Sequence, residues 1–243
     1  MASPVTLRGA PVAISGEPGV DVDAATSSPL FRDWLAGLDA TMDVAAVHFQ
    51  SLDMFGPRVG FIKFRATATC GGKPVPGVVF MRGGAVAVLV LLSCGDELYT
   101  VLCRQPRMPI GRVAFPEIPA GMLDGSGHFA GVAAKEMEEE TGLKMAAEDL
   151  IDLTQLAYGD AYPGVYPSVG GCDEFLRMFL YRKEVSREEI TALQGKLTGN
   201  PDEAEHIVLQ VVPYADMWKL TSDAKTLAAM FLYEKLAPTL PPK

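Results

Sequence analysis

The sequence predicts an α/β protein with a small antiparallel β unit ahead of the main domain. Residues 85–92 form a wholly apolar run, which is typical of a strand at the centre of a sheet with both faces covered. Residues 60–69 alternate apolar and polar side chains, as a half-buried strand does. An acidic helix is predicted within residues 121–143, after the apolar strand. Together these features favour a sheet packed against helices.

We divide the chain into three parts at its turn and breaker residues. Residues 1–27 are rich in Ala, Ser, Pro, Val and Gly and are predicted to be a flexible arm. Residues 28–82 contain a short helix and the β unit. The glycine pair Gly83-Gly84 marks the boundary to residues 83–243, the main domain.

The second part begins with a clear helix start. Ser28 is a typical N-cap, and Pro29 follows at the first helical position. We expect the helix to end near Gly37. After the half-buried strand, Val78–Met81 is predicted to be the returning strand of an antiparallel unit.

In the third part, residues 97–104 are predicted to return antiparallel to the apolar strand. Arg104 and Arg107 follow on a predicted loop that is close in sequence to the acidic helix. Residues 150–158 resemble a strand, and residues 159–173 form a long loop of the kind that is often functional. Further strands are predicted at 175–181 and 206–212, and helices at 187–193 and 223–236.

Composition excludes several function classes. A hydrophobic content of 49% supports a sizeable core, and a net charge of −9 disfavours nucleic acid as a partner. No two of the four cysteines form a CxxC pair, so a zinc site or a disulfide framework is disfavoured. We therefore expect a reduced intracellular compartment. The longest apolar run is far shorter than the roughly 18 residues of a membrane span. An acidic protein can still bind a phosphorylated small molecule when metal ions supply positive charge locally.

Three carboxylates lie on one side of the predicted acidic helix. Glu136, Glu139 and Glu140 occupy positions i, i+3 and i+4, which are neighbours on a helix surface. Like charges so placed repel by about 0.2–0.5 kcal/mol per pair. A hard divalent cation with oxygen ligands would convert that repulsion into binding energy. The pattern therefore predicts a divalent-metal site on this helix.

Other catalytic motifs are absent or lack the structural context that they require. Gly125 and Gly127 have the spacing of a dinucleotide fingerprint, but Pro116 and Pro119 interrupt the strand that should precede it. The histidines form no HExxH motif, and the chain has no G-x-S-x-G nucleophile elbow. A zinc hydrolase and a serine hydrolase are therefore disfavoured.

Residues 121–143 resemble the Nudix box, G-x5-E-x7-R-E-U-x-E-E-x-G-U, in which U is a bulky aliphatic residue. Two positions depart from it, because Gly127 replaces the first Glu and Lys135 replaces the Arg. In the family those two residues mainly brace the loop against the helix, so the departures concern loop geometry more than the acids. Asp124 is a candidate substitute for the missing acid. The matching positions are Gly121, Glu136, Met137, Glu139, Glu140, Gly142 and Leu143.

The resemblance extends beyond the box. The segments PEIPAGMLD, YPSVGGCDEFLRMFLYR, VVPYADMW and LDMFGPRVGFIKFRA are similar to the ADP-ribose and ADP-sugar branch of the Nudix hydrolases. Residues 30–236 as a whole resemble the plant plastid-type ADP-sugar diphosphatases. The resemblance implies a Nudix α/β/α sandwich with a mixed sheet, preceded by the β unit.

The resemblance also implies an activity. It implies Mg²⁺-dependent hydrolysis of the diphosphate of ADP-glucose or ADP-ribose, giving AMP and a sugar phosphate, with Mn²⁺ as a substitute metal. A UDP-sugar diphosphatase is one alternative, and a catalytically weak Nudix-fold sensor of nucleotide sugars is another. It further implies a homodimer completed by the β unit, and a location in the plastid stroma, with the cytosol as the alternative.

By family analogy, the metal ligands are the Ala120 carbonyl and the carboxylates of Glu136, Glu139 and Glu140. Glu139 is also placed among the catalytic residues. We expect these groups to hold Mg²⁺ against the diphosphate.

The same analogy assigns the general base to the loop after the box. Glu174 occupies the matching place, and Asp173 is the neighbour to exclude. Glu203 and Glu205, in a second acidic loop, are weaker candidates. The substrate-binding candidates, which would contact phosphate oxygens, are Arg107 and Arg104.

Overall fold

The computed structural model describes residues 4–123, 128–200 and 205–240. The chain divides into two compact units. The first consists of Met1–Gly83 and Ser168–Glu174, and the second of Gly84–Pro167 and Phe175–Lys243. The division falls inside the glycine pair at which the sequence predicted a boundary, but the sequence did not predict that Ser168–Glu174 belongs with the first unit.

The first unit is built on a mostly antiparallel sheet. Its strand order is β3-β4-β5-β6, with β7 also paired to β5, while β1 and β2 form a separate ribbon. Strand β3 runs parallel to β4, and the other pairs are antiparallel. The elements are β1 (Thr6–Leu7), β2 (Ala10–Pro11), β3 (Ala13–Gly16), α1 (Val22–Ser27), α2 (Pro29–Ala36), β4 (Met42–Phe55), β5 (Arg58–Cys70), β6 (Lys73–Val75) and β7 (Val78–Met81).

The structure differs from the prediction of a flexible arm over residues 1–27. From residue 4 onward the segment is folded, because small apolar side chains pack on the aromatic core of the first unit. Leu7 and Val12 are buried, and Ala25 of α1 is fully buried. The side chain of Asp21 caps α1 by accepting the Ala24 N–H at 2.9 Å. Composition alone does not reveal this packing, because the aromatic core is formed by residues later in the chain.

The predicted helix after Ser28 is confirmed. The Ser28 hydroxyl accepts the Phe31 N–H at 3.2 Å, and α2 ends at Gly37. Phe31 is 1% exposed and packs edge-on against Phe49 and Phe64 of the sheet. This aromatic cluster forms the core of the first unit.

The second unit is an α/β/α sandwich with a mixed sheet, as predicted. Its strand order is β12-β13-β8-β9-β15-β14, with β10 paired to β9 and β11 to β8. Strands β13 and β8 are parallel, and the remaining pairs are antiparallel. The elements are β8 (Ala85–Cys94), β9 (Glu97–Arg107), β10 (Arg112–Glu117), β11 (Ala120–Met122), α3 (Phe129–Thr141), β12 (Ile151–Asp152), α4 (Leu153–Tyr158), β13 (Leu176–Glu184), α5 (Arg187–Leu193), β14 (Leu197–Thr198), β15 (Ile207–Pro213), α6 (Met217–Leu220) and α7 (Ala224–Leu236).

The apolar strand β8 lies between two layers of helices. Val88 on one face packs in a cluster with Met137 of α3, and Leu89 on the other face packs with Ala229 of α7. Residues 85–92 are all buried. The sequence-based expectation of a central strand with both faces covered is therefore confirmed. In the described parts of the chain, no helix is both long and apolar enough to cross a membrane.

The acid-bearing helix α3 ends where the sequence predicted. Gly142 adopts a left-handed conformation (φ 71°), and its N–H donates to the Glu138 carbonyl at 2.8 Å. Only glycine adopts this conformation without steric cost. The helix therefore ends within one turn of Glu139 and Glu140.

Two local predictions for this unit were wrong. Residues 150–158 contain only a short strand, β12, and then helix α4, because the Asp152 side chain caps the helix by accepting the Gln155 N–H at 2.8 Å. Arg104 and Arg107 lie within strand β9 and not on a loop, because β9 continues to pair with β10.

Candidate active site

The candidate site is built where α3 packs against the short strand β11. Glu136 lies directly against the backbone of Gly121. A Cβ atom placed on Gly121 would be 1.9 Å from Cδ of Glu136, so no larger residue fits without moving that carboxylate. The glycine that begins the box therefore makes room for one of its acids.

Glu140 is a buried carboxylate held by the same strand. It is 3% exposed, and its Oε2 atom accepts the backbone N–H of Ala120 at 2.9 Å. Its other close polar neighbour is Sγ of Cys103 on β9, 3.8 Å from Oε2. The contact that the structure shows for Ala120 is through its N–H, whereas the sequence analysis assigned a role to its carbonyl.

Burial raises the pKa of Glu140 to about 8. The Ala120 N–H lowers this pKa, whereas the carboxylates of Glu136, Glu205 and Glu117 raise it further. The electrostatic surroundings of Glu140 are thus dominated by other acids, which is an environment that favours a bound cation.

Glu139 is more exposed than Glu140 and is paired with a lysine. Its side chain is 36% exposed, and its Oε1 atom lies 3.6 Å from Nζ of Lys135, one turn earlier on α3. Among the described residues, no group of three or more Asp, Glu, His or Cys side chains is arranged so that it could hold a metal ion. The partner that the structure shows for the Glu139 carboxylate is Lys135.

The donor set nevertheless suits a hard divalent cation. Glu136 and Glu140 both lie against β11, and one of them is buried among acids. Oxygen ligands are those that Mg²⁺ and similar ions take in proteins. The carboxylates of Glu136, Glu139 and Glu140, with the Ala120 carbonyl, remain the predicted ligand set.

Thr198 at the end of β14 and the following Gly199 are hydrogen-bonded to the acid-bearing end of α3. The Thr198 hydroxyl donates to the Glu140 carbonyl, and the Gly199 N–H donates to the Glu139 carbonyl at 3.2 Å. The side chain of Glu205 accepts the N–H of Asn200, the residue after Gly199, at 3.2 Å. Glu205 therefore belongs to the same unit as the candidate metal acids and acts electrostatically on Glu140. Glu203, the other candidate in this acidic loop, lies outside the described residues.

Glu174, the predicted general base, belongs to the first unit. Its Oε1 atom lies 3.3 Å from Nη1 of Arg82, and its side chain is 17% exposed. Asp173 has a structural task, because its carboxylate accepts the backbone N–H groups of Arg82 and Gly83 at 2.8 and 3.2 Å. Asp173 thereby fastens Ser168–Glu174 to the end of β7.

The two candidate substrate arginines are placed differently. Arg107 is half-buried, and its Nε donates to Oε1 of Glu117 at 2.5 Å. Arg104 is exposed on the same strand, opposite Val208 of β15. Sequence reasoning missed Glu117 and its second partner, Lys225 of α7. The sequence shows that Glu117 lies in the PEIPAGMLD segment just before the box. It gives no sign of a contact with a lysine more than 100 residues away.

Gly127, which replaces the first Glu of the box, lies outside the described residues. Asp124, the candidate substitute for that acid, lies outside them as well. Lys135, the other departure, is described and pairs with Glu139. Lys135 therefore forms an ion pair with Glu139, one of the candidate metal ligands.

Comparison with known proteins identifies the class. The family model described as the NUDIX domain matches residues 81–231, which include α3 and all of its acids. The chain belongs to the Nudix family and is a hydrolase. Nudix hydrolases generally use divalent metals, in keeping with the acid set on α3.

Two curated proteins and one solved structure give the nearer context. The chain is 45% identical over 240 residues to Nudix hydrolase 14, chloroplastic, of Arabidopsis thaliana, covering 92% of this chain and 77% of that protein. It is 32% identical over 164 residues to the ADP-ribose pyrophosphatase of Bacillus subtilis (strain 168), covering 65% of this chain and 76% of that protein. A crystal structure titled as an ADP compounds hydrolase shares the fold, with a TM-score of 0.53, 16% identity, and coverage of 82% of this chain and 96% of that one.

Proposed function

We propose that the protein hydrolyses the diphosphate bond of an ADP-sugar, either ADP-glucose or ADP-ribose, to AMP and a sugar phosphate. The observation that carries the hydrolytic part is the placement of Glu136 and Glu140 against β11, with Glu140 buried among acids. The choice of an ADP-sugar as substrate is supported by the 32% identity to a bacterial ADP-ribose pyrophosphatase.

In this proposal Ala120, Glu136, Glu139 and Glu140 hold Mg²⁺, and Mn²⁺ can replace it. When bound, the metal neutralises diphosphate oxygens and lowers the pKa of a coordinated water. The protein contributes the positions of the acids. Glu140 is fixed by the Ala120 N–H, and Glu136 by the space at Gly121.

Arg107 and Arg104 are proposed to contact the phosphate oxygens that the metals leave uncovered. The geometry favours Arg107, because Glu117 holds only its Nε and a guanidinium can bind phosphate through two parallel hydrogen bonds. Arg104, also on β9, is the more exposed of the two candidates.

A general base must remove a proton from the attacking water. Glu174 is the base proposed from the sequence. Glu205 is a second candidate, because it accepts the N–H of Asn200, which directly follows two residues that are hydrogen-bonded to Glu139 and Glu140. Comparing glutamine variants of the two decides between them, since loss of a general base costs about 10²–10⁴-fold in rate.

We also propose a homodimer formed through the first unit and a location in the plastid stroma, with the cytosol as the alternative. Large apolar side chains exposed on this unit include Met54, Phe55 and Phe80, which suit an interface. The Arabidopsis relative is described as chloroplastic. Light scattering of the purified protein, compared with a Phe55→Asp variant, tests the dimer, and fractionation of intact cells tests the location.

Two other functions remain as alternatives to test. UDP-sugar hydrolysis would use the same acids, so only the substrate distinguishes it. A nucleotide-sugar sensor of this fold would bind without turnover, but such a module has no need for Glu136, Glu139 and Glu140 together.

The deciding experiment is a panel of ADP-glucose, ADP-ribose and UDP-glucose with Mg²⁺ or Mn²⁺, in which kcat/KM and the product phosphates are measured. We expect AMP and a sugar phosphate from an ADP-sugar. A preference for UDP-glucose would select the first alternative, and tight binding without products would select the second.

A further inference from the structure

Glu117 is a buried carboxylate shared by two cations. It is the last residue of β10 and is 3% exposed. Its Oε1 atom accepts the Nε–H of Arg107 at 2.5 Å, and its Oε2 atom accepts a hydrogen bond from Nζ of Lys225. A buried carboxylate is tolerated only when it is paired, and these two contacts provide the pairing.

Lys225 is held in a defined place. Its Nζ atom is also 3.2 Å from Oδ2 of Asp223, and the side chains of Lys225 and Asp223 are 12% and 13% exposed. The same Asp223 oxygen accepts the Thr226 N–H and hydroxyl at 3.0 and 2.6 Å. A lysine in the first turn of a helix opposes the helix dipole, so the two acids offset an unfavourable position.

Arg107 is the exposed member of the group, with a side chain that is 40% exposed. Glu117 engages its Nε atom, and within residues 4–123, 128–200 and 205–240 the guanidinium makes no second hydrogen bond. The edge formed by Nη1 and Nη2 is therefore open. That edge presents parallel N–H groups with the geometry of two phosphate oxygens.

The second oxygen of Glu117 decides whether this edge stays open. A carboxylate with both oxygens available tends to bind a guanidinium bidentately, which occupies more than one of its nitrogens. Because Lys225 engages Oε2, only Oε1 is available to Arg107.

We propose that Lys225 is a positioning residue for diphosphate binding: by holding Oε2 of Glu117, it makes Glu117 orient Arg107 through Nε alone and leaves the Nη edge of Arg107 for the substrate. This inference rests on the proposed function only in that Arg107 contacts the diphosphate. Lys225 itself acts through Glu117 and Arg107 and does not touch the substrate.

The test measures binding of inorganic pyrophosphate to the full chain by calorimetry, without divalent metal. Lys225→Met should raise the dissociation constant about tenfold, the loss expected when one charge-assisted hydrogen bond is removed. With an ADP-sugar as substrate, KM should rise by a similar factor while kcat stays within about twofold, because uniform binding has been lost. Lys225→Arg should restore both values.

A double variant separates positioning from mere stability. Lys225→Met added to Arg107→Met should weaken pyrophosphate binding no further than Arg107→Met alone, because Lys225 acts through Arg107. Lys219→Met is the matched control, since Lys219 is an exposed lysine whose ion pair is with nearby Asp216 and not with Glu117. Lys225→Ala, which also removes the donor to Oε2 of Glu117, serves the same test if the methionine variant does not fold.

Wild-type pyrophosphate affinity in Lys225→Met, additive effects in the double variant, or no pyrophosphate binding by the wild type would overturn the proposal. Failure of the wild type to hydrolyse ADP-sugars, with the pyrophosphate coupling intact, would refute the proposed function and leave the role of Lys225 standing. The two ideas can therefore fail separately.

Discussion

Replacing Glu140 by glutamine should abolish most of the activity and yet stabilise the metal-free protein. Glu140 is 3% exposed and accepts the Ala120 N–H at 2.9 Å. Glutamine has the same shape and keeps an oxygen for that hydrogen bond. What it loses is the ionisable proton, so the variant can neither carry the buried charge nor bind a metal as a carboxylate.

The stability effect follows from the pKa of Glu140. Burial raises it from 4.5 to about 8, so the folded protein binds this proton more tightly than the unfolded chain does. Stability is therefore lost as the pH rises from about 4.5 to about 8. Glutamine carries no such cost, and at pH 7 without metal the variant should be more stable by up to about 3 kcal/mol. At pH 4 the difference should vanish.

Catalysis should change in the opposite direction. A metal clamp supplies several kcal/mol of charge stabilisation, so losing a ligand should lower kcat by about two to three orders of magnitude. Urea unfolding in EDTA at pH 4 and pH 7 measures the first effect, and turnover with Mg²⁺ measures the second. Glu138→Gln, at an exposed position paired with Lys144, is the matched control and should change neither. Wild-type turnover in Glu140→Gln, or a loss of metal-free stability at pH 7, would refute the reasoning.

Four other substitutions have clearly different expected outcomes. Glu174→Gln and Glu205→Gln should differ, and the one that loses about 10²–10⁴-fold in kcat is the general base; less than tenfold in both would place the base elsewhere. Gly121→Ala should displace the Glu136 carboxylate and lower kcat by up to about 10²-fold, with a thermal midpoint close to that of the wild type; unchanged kcat would contradict the contact. Gly142→Ala, at φ 71°, should cost about 1–2 kcal/mol of unfolding free energy in urea, with kcat nearly intact.

The parts of the fold that sequence predicted best are those set by local chemistry. Ser28 followed by Pro29 fixed the start of α2, and Gly142 marked the end of α3 through its left-handed conformation. The apolar run in β8 predicted a strand covered on both faces, which the two core clusters show. In each case the cause lies within a few residues of its effect.

The errors came from residues whose state depends on distant partners. The small apolar side chains before residue 28 fold because they cover an aromatic core formed later in the chain. The segment at 150–158 has strand-like composition, but the Asp152 cap and a buried Thr154, whose hydroxyl accepts the Met178 N–H at 2.8 Å, stabilise α4. Composition does not encode such contacts.

In the candidate site, too, local features could be predicted from the sequence and long-range contacts could not. The acids of α3 could be predicted from helical spacing, but the burial of Glu140 depends on β9 and β11, far away in sequence. The pairing of Glu117 joins Arg107, ten residues before it, with Lys225 of α7. These long-range contacts decide how the acids and arginines are presented.

The central claim is that the acids of α3 serve metal-dependent cleavage of an ADP-sugar diphosphate. One phosphorus NMR experiment tests it most directly, by following ADP-glucose and ADP-ribose with the purified protein, with and without Mg²⁺. We predict that the diphosphate signals are replaced by those of AMP and a sugar phosphate only when Mg²⁺ is present, and that Glu140→Gln shows almost no change. Diphosphate signals that persist with both Mg²⁺ and Mn²⁺, for both substrates, would contradict the account.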